Sequence, residues 1–213
     1  MKRQTLYKTL VERNRADRLR NLQTIEDMGQ EKALNEYNRI EKEINTKFER
    51  ENIEHTLELI ARELAYEYWG LDFDLPVIIN GRLKASGGRC HSHVYHAGTA
   101  DQEIVPYKIE ISLNTIITSY MVSGELDYAI EVLKHELTHY ALWVQGIDHE
   151  ETSLNFLEEI NRVGAVYQGV TFSKLKAHEC DEGCSFYRAR KVPKSHICKK
   201  HELPIHYVGE ILN

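Results

Sequence analysis

Residues 125–146 read ELDYAIEVLKHELTHYALWVQG. Leu126, Ala129, Ile130, Leu133, Leu137, Tyr140, Ala141 and Val144 fall at helical spacing. That pattern predicts a helix with an apolar back, and Gly146 is its stop. Inside it stand His135-Glu136-Leu137-Thr138-His139. An i, i+4 spacing puts both imidazoles on one helix face, close enough to share one ion. Neutral imidazole is a good zinc ligand. Glu136 is rotated about 100° from His135 by the helical period. It can therefore flank an ion without ligating it, and take a proton from a water that the ion activates. The pattern predicts zinc-dependent hydrolysis with Glu136 as catalytic base.

A catalytic zinc needs a third protein ligand and an open position. Because Gly146 ends the helix, that ligand must come from the next turn or the next helix. His149, Glu150 and Glu151 are the candidates. His149 is the better ligand by side-chain type. Glu151 lies at the start of a predicted helix over roughly 151–163, which carries Leu154, Phe156, Leu157 and Ile160. Spacing alone leaves His149 and Glu151 both open.

The chain N-terminal to this core reads as helix. Residues 1–69 contain a single glycine, Gly29, and no proline. A basic helix up to about Asp27 is expected, then a longer helical stretch from about Glu31. The latter runs into an apolar stripe at Ile53, Leu57, Leu59, Ile60, Leu64, Ala65 and Trp69, stopped by Gly70. Residues before 50 are weakly apolar and read as an arm, or as a helix hairpin packed on the body. Between Asp72 and Asn114 the pattern changes to strands. PVIIN (76–80) reads as buried, RCHSHVYH (89–96) alternates, and YKIEISLN (107–114) points Ile109, Ile111 and Leu113 inward. The expected fold class is α+β: a helical N-terminal arm (1–50), a small antiparallel sheet packed on zincin-type helices (51–168), and a C-terminal module (169–213).

That last module carries Cys180-x3-Cys184 and Cys198-x2-His201. Two ligand-bearing turns closing on one ion is the logic of a zinc ribbon, and a Cys3His site with no open position is structural. His178 and His196 are alternative ligands. So few apolar side chains over about 30 residues need a metal staple of this kind. Phe186 and Tyr187 beside Arg188, Arg190 and Lys191 have the composition to stack on bases and pair with phosphates. The fourth cysteine, Cys90, lies near His91, His93 and His96, but strand alternation separates their faces, so it reads as a core residue.

Charge and composition bound the rest. The 213 residues carry a net charge of −6 and 42% hydrophobic residues, enough for a core. Residues 171–201 are net +5 and the remainder −11; the first 20 residues are also locally basic. A polyanion would be met by the ends of the chain. No apolar run approaches a membrane span. The N-terminus has no apolar h-region, so no secretory signal and a reducing, cytoplasmic setting are expected. Clustered Cys and His there point to metal, not disulfides.

Taken in order, the helix ending in YWG, NGRLKASGG before a strand, IEISLN, KHELTHY, the helix around Phe156 and the cysteine pairs resemble the SprT-like family of zinc metallopeptidases, the relatives of Spartan. The likeness covers roughly residues 55–200 and is to the short bacterial and phage type with a zinc ribbon. It implies zinc ligation by His135 and His139, catalysis of peptide hydrolysis by Glu136, and protein substrates near or crosslinked to DNA. In much of the family a His shortly before an aromatic residue is the third ligand. Ungapped counting from Gly146 to Phe156 places Glu151 there, with His149 the alternative. Two zinc ions are implied, one catalytic and one structural. The arm before residue 50 is not part of the family pattern. The contrasting reading is a non-catalytic nucleic-acid-binding ribbon protein with a vestigial helix site.

Overall fold

The computed structural model describes residues 2–96, 103–188 and 196–213. The N-terminal region is three helices: α1 (Lys2–Met28), α2 (Gln30–Ile44) and α3 (Lys47–Trp69). Gly29 breaks the first two at φ 79°, a left-handed conformation that glycine adopts without a Cβ penalty. The single long stretch expected from about Glu31 is in fact two helices. Thr46 divides them, its hydroxyl accepting from the Glu49 N–H at 3.3 Å as an N-cap. α1 and α2 form a hairpin packed on the body, α1 against α6 and α2 against α4. Tyr37 anchors α2, donating its buried hydroxyl to Asn114 Oδ1 at 2.7 Å.

The first sheet comprises β1 (Val77–Asn80), β2 (Gly88–Tyr95) and β3 (Glu103–Ser112), in the order β1-β3-β2. β2 and β3 pair antiparallel, whereas β1 pairs parallel to β3. The expected antiparallel sheet is thus mixed, because the β2–β3 hairpin returns the chain along β1 in the same direction. Ile109 and Ile111 are buried as the alternation required. Leu113 is not in the strand. Ser112 ends β3 and caps α4 (Leu113–Ser123), its side chain accepting from the Asn114 N–H. Sequence reading missed this helix: TIITSYMVS is rich in β-branched residues, and burial of Ile116, Ile117, Thr115 and Thr118 overrides that propensity.

α5 (Asp127–Val144) is the helix expected, and it lies at the centre of the fold. It contacts α3, α4, α6, β2 and β3. Buried Ala129, Leu133, Leu137 and Ala141 form its apolar back. α6 (Leu154–Val163) starts later than expected, because Ser153 caps it by accepting from the Phe156 N–H at 3.2 Å. Glu151 therefore sits in the turn before the helix.

A second sheet holds β4 (Lys174–Cys180), β5 (Ser185–Arg188) and β6 (Ile205–Leu212), antiparallel in the order β5-β4-β6. The arm grips it. Gln30 Nε2 donates to Leu212 O at 3.1 Å, and Lys174 Nζ pairs with Glu41 Oε2 at 2.6 Å. Its own apolar cluster is Cys180, Cys198 and Ile205 with Cys184 and Phe186 against them. Among the described residues no helix is long and apolar enough to cross a membrane.

Candidate metal centre

His135 and His139 project one turn apart from α5. Phe156, from α6, packs against both, stacked on His139 at 4.4 Å between centroids and edge-on to His135 at 5.2 Å. One ligand atom from each of His135, His139 and Glu151 lies within 4.8 Å of the other two. Glu151 Oε1 is 4.0 Å from His135 Nε2. His135 Nδ1 lies 2.8 Å from the Val166 carbonyl oxygen. A carbonyl can only accept, so Nδ1 carries the proton and Nε2 is the ring nitrogen left to face a metal. Burial, helped by the neighbouring His135 and His149, pushes the His139 pKa down to about 3 and so keeps its imidazole neutral. Two imidazoles and a carboxylate are a donor set suited to zinc, and these residues fit such an ion.

Glu136 stands beside the cluster. Its Oε2 accepts from the Cys90 N–H at 2.7 Å. Burial pushes its carboxyl up, while His135 and the Cys90 N–H oppose that. Gly88, also on β2, is what lets the strand approach so closely: a Cβ there would meet Glu136 Cγ and Oε1 at 2.8 Å. Gly88, the Cys90 amide and the Val166 carbonyl were not singled out from the sequence. SGG in NGRLKASGG was legible only as a turn, and backbone groups leave no side-chain signal.

A cavity of about 480 Å³ runs over this centre, lined by Glu136, His139, Trp143, His149 and Glu151 among others. A second, about 360 Å³, shares Ser86, Gly88, His135, Glu136 and Glu151 with it and adds Val166–Gly169. Together they are one cleft. His149 lies in it without joining the three-residue cluster. Its ring is 6.4 Å from that of His139 and 4.8 Å from that of Trp143. Glu150 lines the same cavity, and Trp143 is a partly buried wall of it.

The other cluster is Cys180, Cys184, Cys198 and His201, again with ligand atoms within 4.8 Å of one another. His201 Nδ1 is 3.4 Å from Cys180 Sγ and 3.6 Å from Cys184 Sγ. The hydrogen bond to His201 draws the Cys180 thiol below its usual range. Turn bonds bring the pairs together: Gly183 N–H to Cys180 O at 2.8 Å, and Glu202 N–H to Cys198 O at 2.7 Å. His178 and His196 are not gathered into it. Three thiols and one imidazole fit a closed zinc site. Among the described residues these are the only two such groups. Cys90 is buried, and burial pushes its thiol up. Arg188 is exposed on β5, next to half-exposed Tyr187. Arg190 and Lys191 lie outside the described residues.

No protein-family model matches the chain, and no solved structure matches it. Curated relatives do. A protein named SprT-like from Bacillus cereus is 25% identical over 156 residues, 69% of this chain and 91% of that protein. One of the same name from Staphylococcus carnosus is 27% identical over 159 residues, 70% of this chain and 93% of that protein. With the histidine pair in α5 and the order of elements around it, these relatives support membership of the SprT-like family.

Proposed function

We propose that this chain is a zinc-dependent endopeptidase, with His135, His139 and Glu151 as ligands and Glu136 as catalytic base. The observation that carries the reading is the Glu136 carboxylate, held beside three convergent ligands and facing the same cleft. A zinc ion there would supply Lewis acidity toward water and a peptide carbonyl. Glu136 Oε2 stays tied to the Cys90 N–H, which orients the carboxylate. Oε1 takes a proton from a water in the cleft and passes it to the leaving amine nitrogen. The Val166 carbonyl accepts from His135 Nδ1, which would leave Nε2 to hold a zinc ion. His149 is left for substrate contact, since it lines the cleft outside the ligand cluster.

Fluorescently labelled, denatured casein tests this. Glu136→Gln keeps the carboxylate's shape but no base, and is expected to retain metal while hydrolysis falls by about 10²–10⁴-fold. Retained turnover at full metal content would defeat the mechanism.

The C-terminal module supports a second, compatible reading, nucleic-acid binding. Tyr187 is 48% exposed and neighbours Arg188, and a cavity of about 500 Å³ beside them is lined by Phe186, Ile197, Lys199 and Lys200. Exposed aromatics among cations suit stacked bases and phosphates. Substrates associated with DNA follow if this reading holds. It predicts single-stranded DNA binding that weakens steeply with salt, survives Glu136→Gln, and drops with Arg188→Glu; salt-independent affinity would remove it.

A further inference from the structure

The buried face of α1 is polar where a packing helix should be apolar. Leu10, Asn14, Asp17, Asn21 and Ile25 follow one another at helical spacing, all under 9% exposed. Polar side chains are buried at a cost unless they are hydrogen-bonded. Two of these, Asn14 and Asn21, are bonded to a single target, the segment Ala165–Val170 that links α6 to the second sheet. Asn14 Oδ1 accepts from the Gln168 N–H at 3.3 Å. Asn21 Nδ2 donates to Val170 O at 2.6 Å. Arg13, one residue before Asn14, adds Nη1 to Ala165 O at 3.2 Å. The segment belongs to no helix or strand, so these bonds replace the ladder it lacks.

The same segment holds two of the candidate ligands. Val166 O accepts from His135 Nδ1 at 2.8 Å. Tyr167, 2% exposed and packed in one cluster with Leu10 and Phe156, donates its hydroxyl to the Glu151 carbonyl oxygen at 3.4 Å. Tyr7 of α1 meets the Tyr167 ring edge-on at 6.1 Å. A strap thus runs from α1, under the cleft, to both sides of the ligand cluster.

We propose that the N-terminal helix is a working part of the metal centre: Asn14 and Asn21 are positioning residues that fix the strap 165–170, and the strap orients His135 and Glu151. The proposal rests on the metal-site reading above. It assigns the arm a role distinct from oligomerisation or polyanion capture. It also explains the choice of side chains, because apolar residues at positions 14 and 21 would pack the helix but leave the Gln168 N–H and Val170 carbonyl unpaired.

The two asparagines play opposite hydrogen-bonding roles, which gives a test that packing alone cannot imitate. Asn14→Asp keeps an acceptor for the Gln168 N–H. Asn21→Asp replaces a donor with an acceptor facing a carbonyl. Zn²⁺ affinity of the helix site is measured in the full chain by chelator competition, with the ribbon already loaded. Asn21→Asp is expected to bind about 10–100-fold more weakly, the usual effect of losing an outer-shell partner. Asn14→Asp is expected to stay within about three-fold of wild type, and Asn14→Ala to fall well below Asn14→Asp. The second readout needs no metal: the His135 Nδ1–H signal in ¹H–¹⁵N spectra of metal-free protein, assigned by its loss in His135→Ala. It should exchange away in Asn21→Asp and persist in Asn14→Asp. If Asn21→Asp does not fold, Asn21→Ala removes the donor without adding repulsion and takes its place. A lower melting temperature with unchanged affinity and an intact His135 signal would overturn the proposal, leaving α1 as packing only. If wild-type protein binds no metal at α5, the metal reading fails, and the His135 signal alone then decides whether the arm holds the strap.

Discussion

The Cys90 N–H donates to Glu136 Oε2 at 2.7 Å, and this bond joins the edge strand β2 to the helix that carries both histidines. It fixes one oxygen of the carboxylate of a residue that lines the cleft. It is made possible by Gly88, two residues earlier on the same strand, where a side chain would collide with Glu136.

Gly88→Ala should therefore act on the base rather than on the metal. The added Cβ meets Glu136 Cγ and Oε1 at 2.8 Å and must push the carboxylate aside. Casein hydrolysis is expected to fall by about 10²-fold, the scale of an ångström's misplacement. Zinc per chain should be unchanged. Full activity in Gly88→Ala would show that the close approach is incidental.

The ribbon site should be a staple for the second sheet alone. Cys184→Ser removes one ligand of the closed cluster and should cost one equivalent of zinc. The sheet's own apolar cluster is small, so hydrogen-exchange protection along Lys174–Cys180 and Ile205–Leu212 should drop while α5 stays protected. Equal protection in both regions after the change would contradict a structural role for the site.

Tyr37 should report how tightly the arm is docked. Its hydroxyl is buried and donates to Asn114 Oδ1. Tyr37→Phe leaves that oxygen with only Lys84 Nζ, 3.5 Å away. A loss of about 1–3 kcal/mol is expected in denaturant unfolding, the cost of an underpaired buried acceptor. A loss below a few tenths would mean that the hydroxyl contributes nothing net.

Glu110 gives stability a pH dependence. Burial pushes its carboxyl up, but bonds from Lys108 and Asn80, with His91 3.1 Å away, prevail and hold it down at about 2. Because the folded pKa lies below the usual 4.5, the ionised form favours folding. That contribution is complete above about pH 4.5 and is lost as pH falls toward 2. Glu110→Gln should lower the melting temperature at neutral pH and flatten its fall across that interval. Parallel curves for both proteins would remove Glu110 as the cause.

Periodicity and ligand spacing made much of this molecule legible. The α5 stripe, the histidine pair, the break at Gly29 and the paired cysteines are all side-chain patterns, and each appears in the structure where the sequence puts it, except that Val144 of the stripe is exposed. What was not legible depends on tertiary context. α4 carries strand-like residues and is helical because it is buried from several sides. The start of α6 depends on the Ser153 cap, and that cap moved Glu151 off the helix and into the turn where it meets His135. The parallel β1–β3 ladder follows from how the hairpin is placed, which no local pattern encodes. The strap and its asparagines were invisible because their partners are backbone groups 149–154 positions away.

The central claim is that α5 and Glu151 hold a metal ion separate from that of the ribbon. Elemental analysis of zinc per chain, on protein purified without chelators or a polyhistidine tag, tests it most directly. The account predicts about two equivalents in wild type and one in the His135→Ala, His139→Ala double variant. It predicts one also in the Cys180→Ser, Cys184→Ser double variant. A single equivalent in wild type, lost with the cysteines and untouched by the histidine changes, would contradict the account.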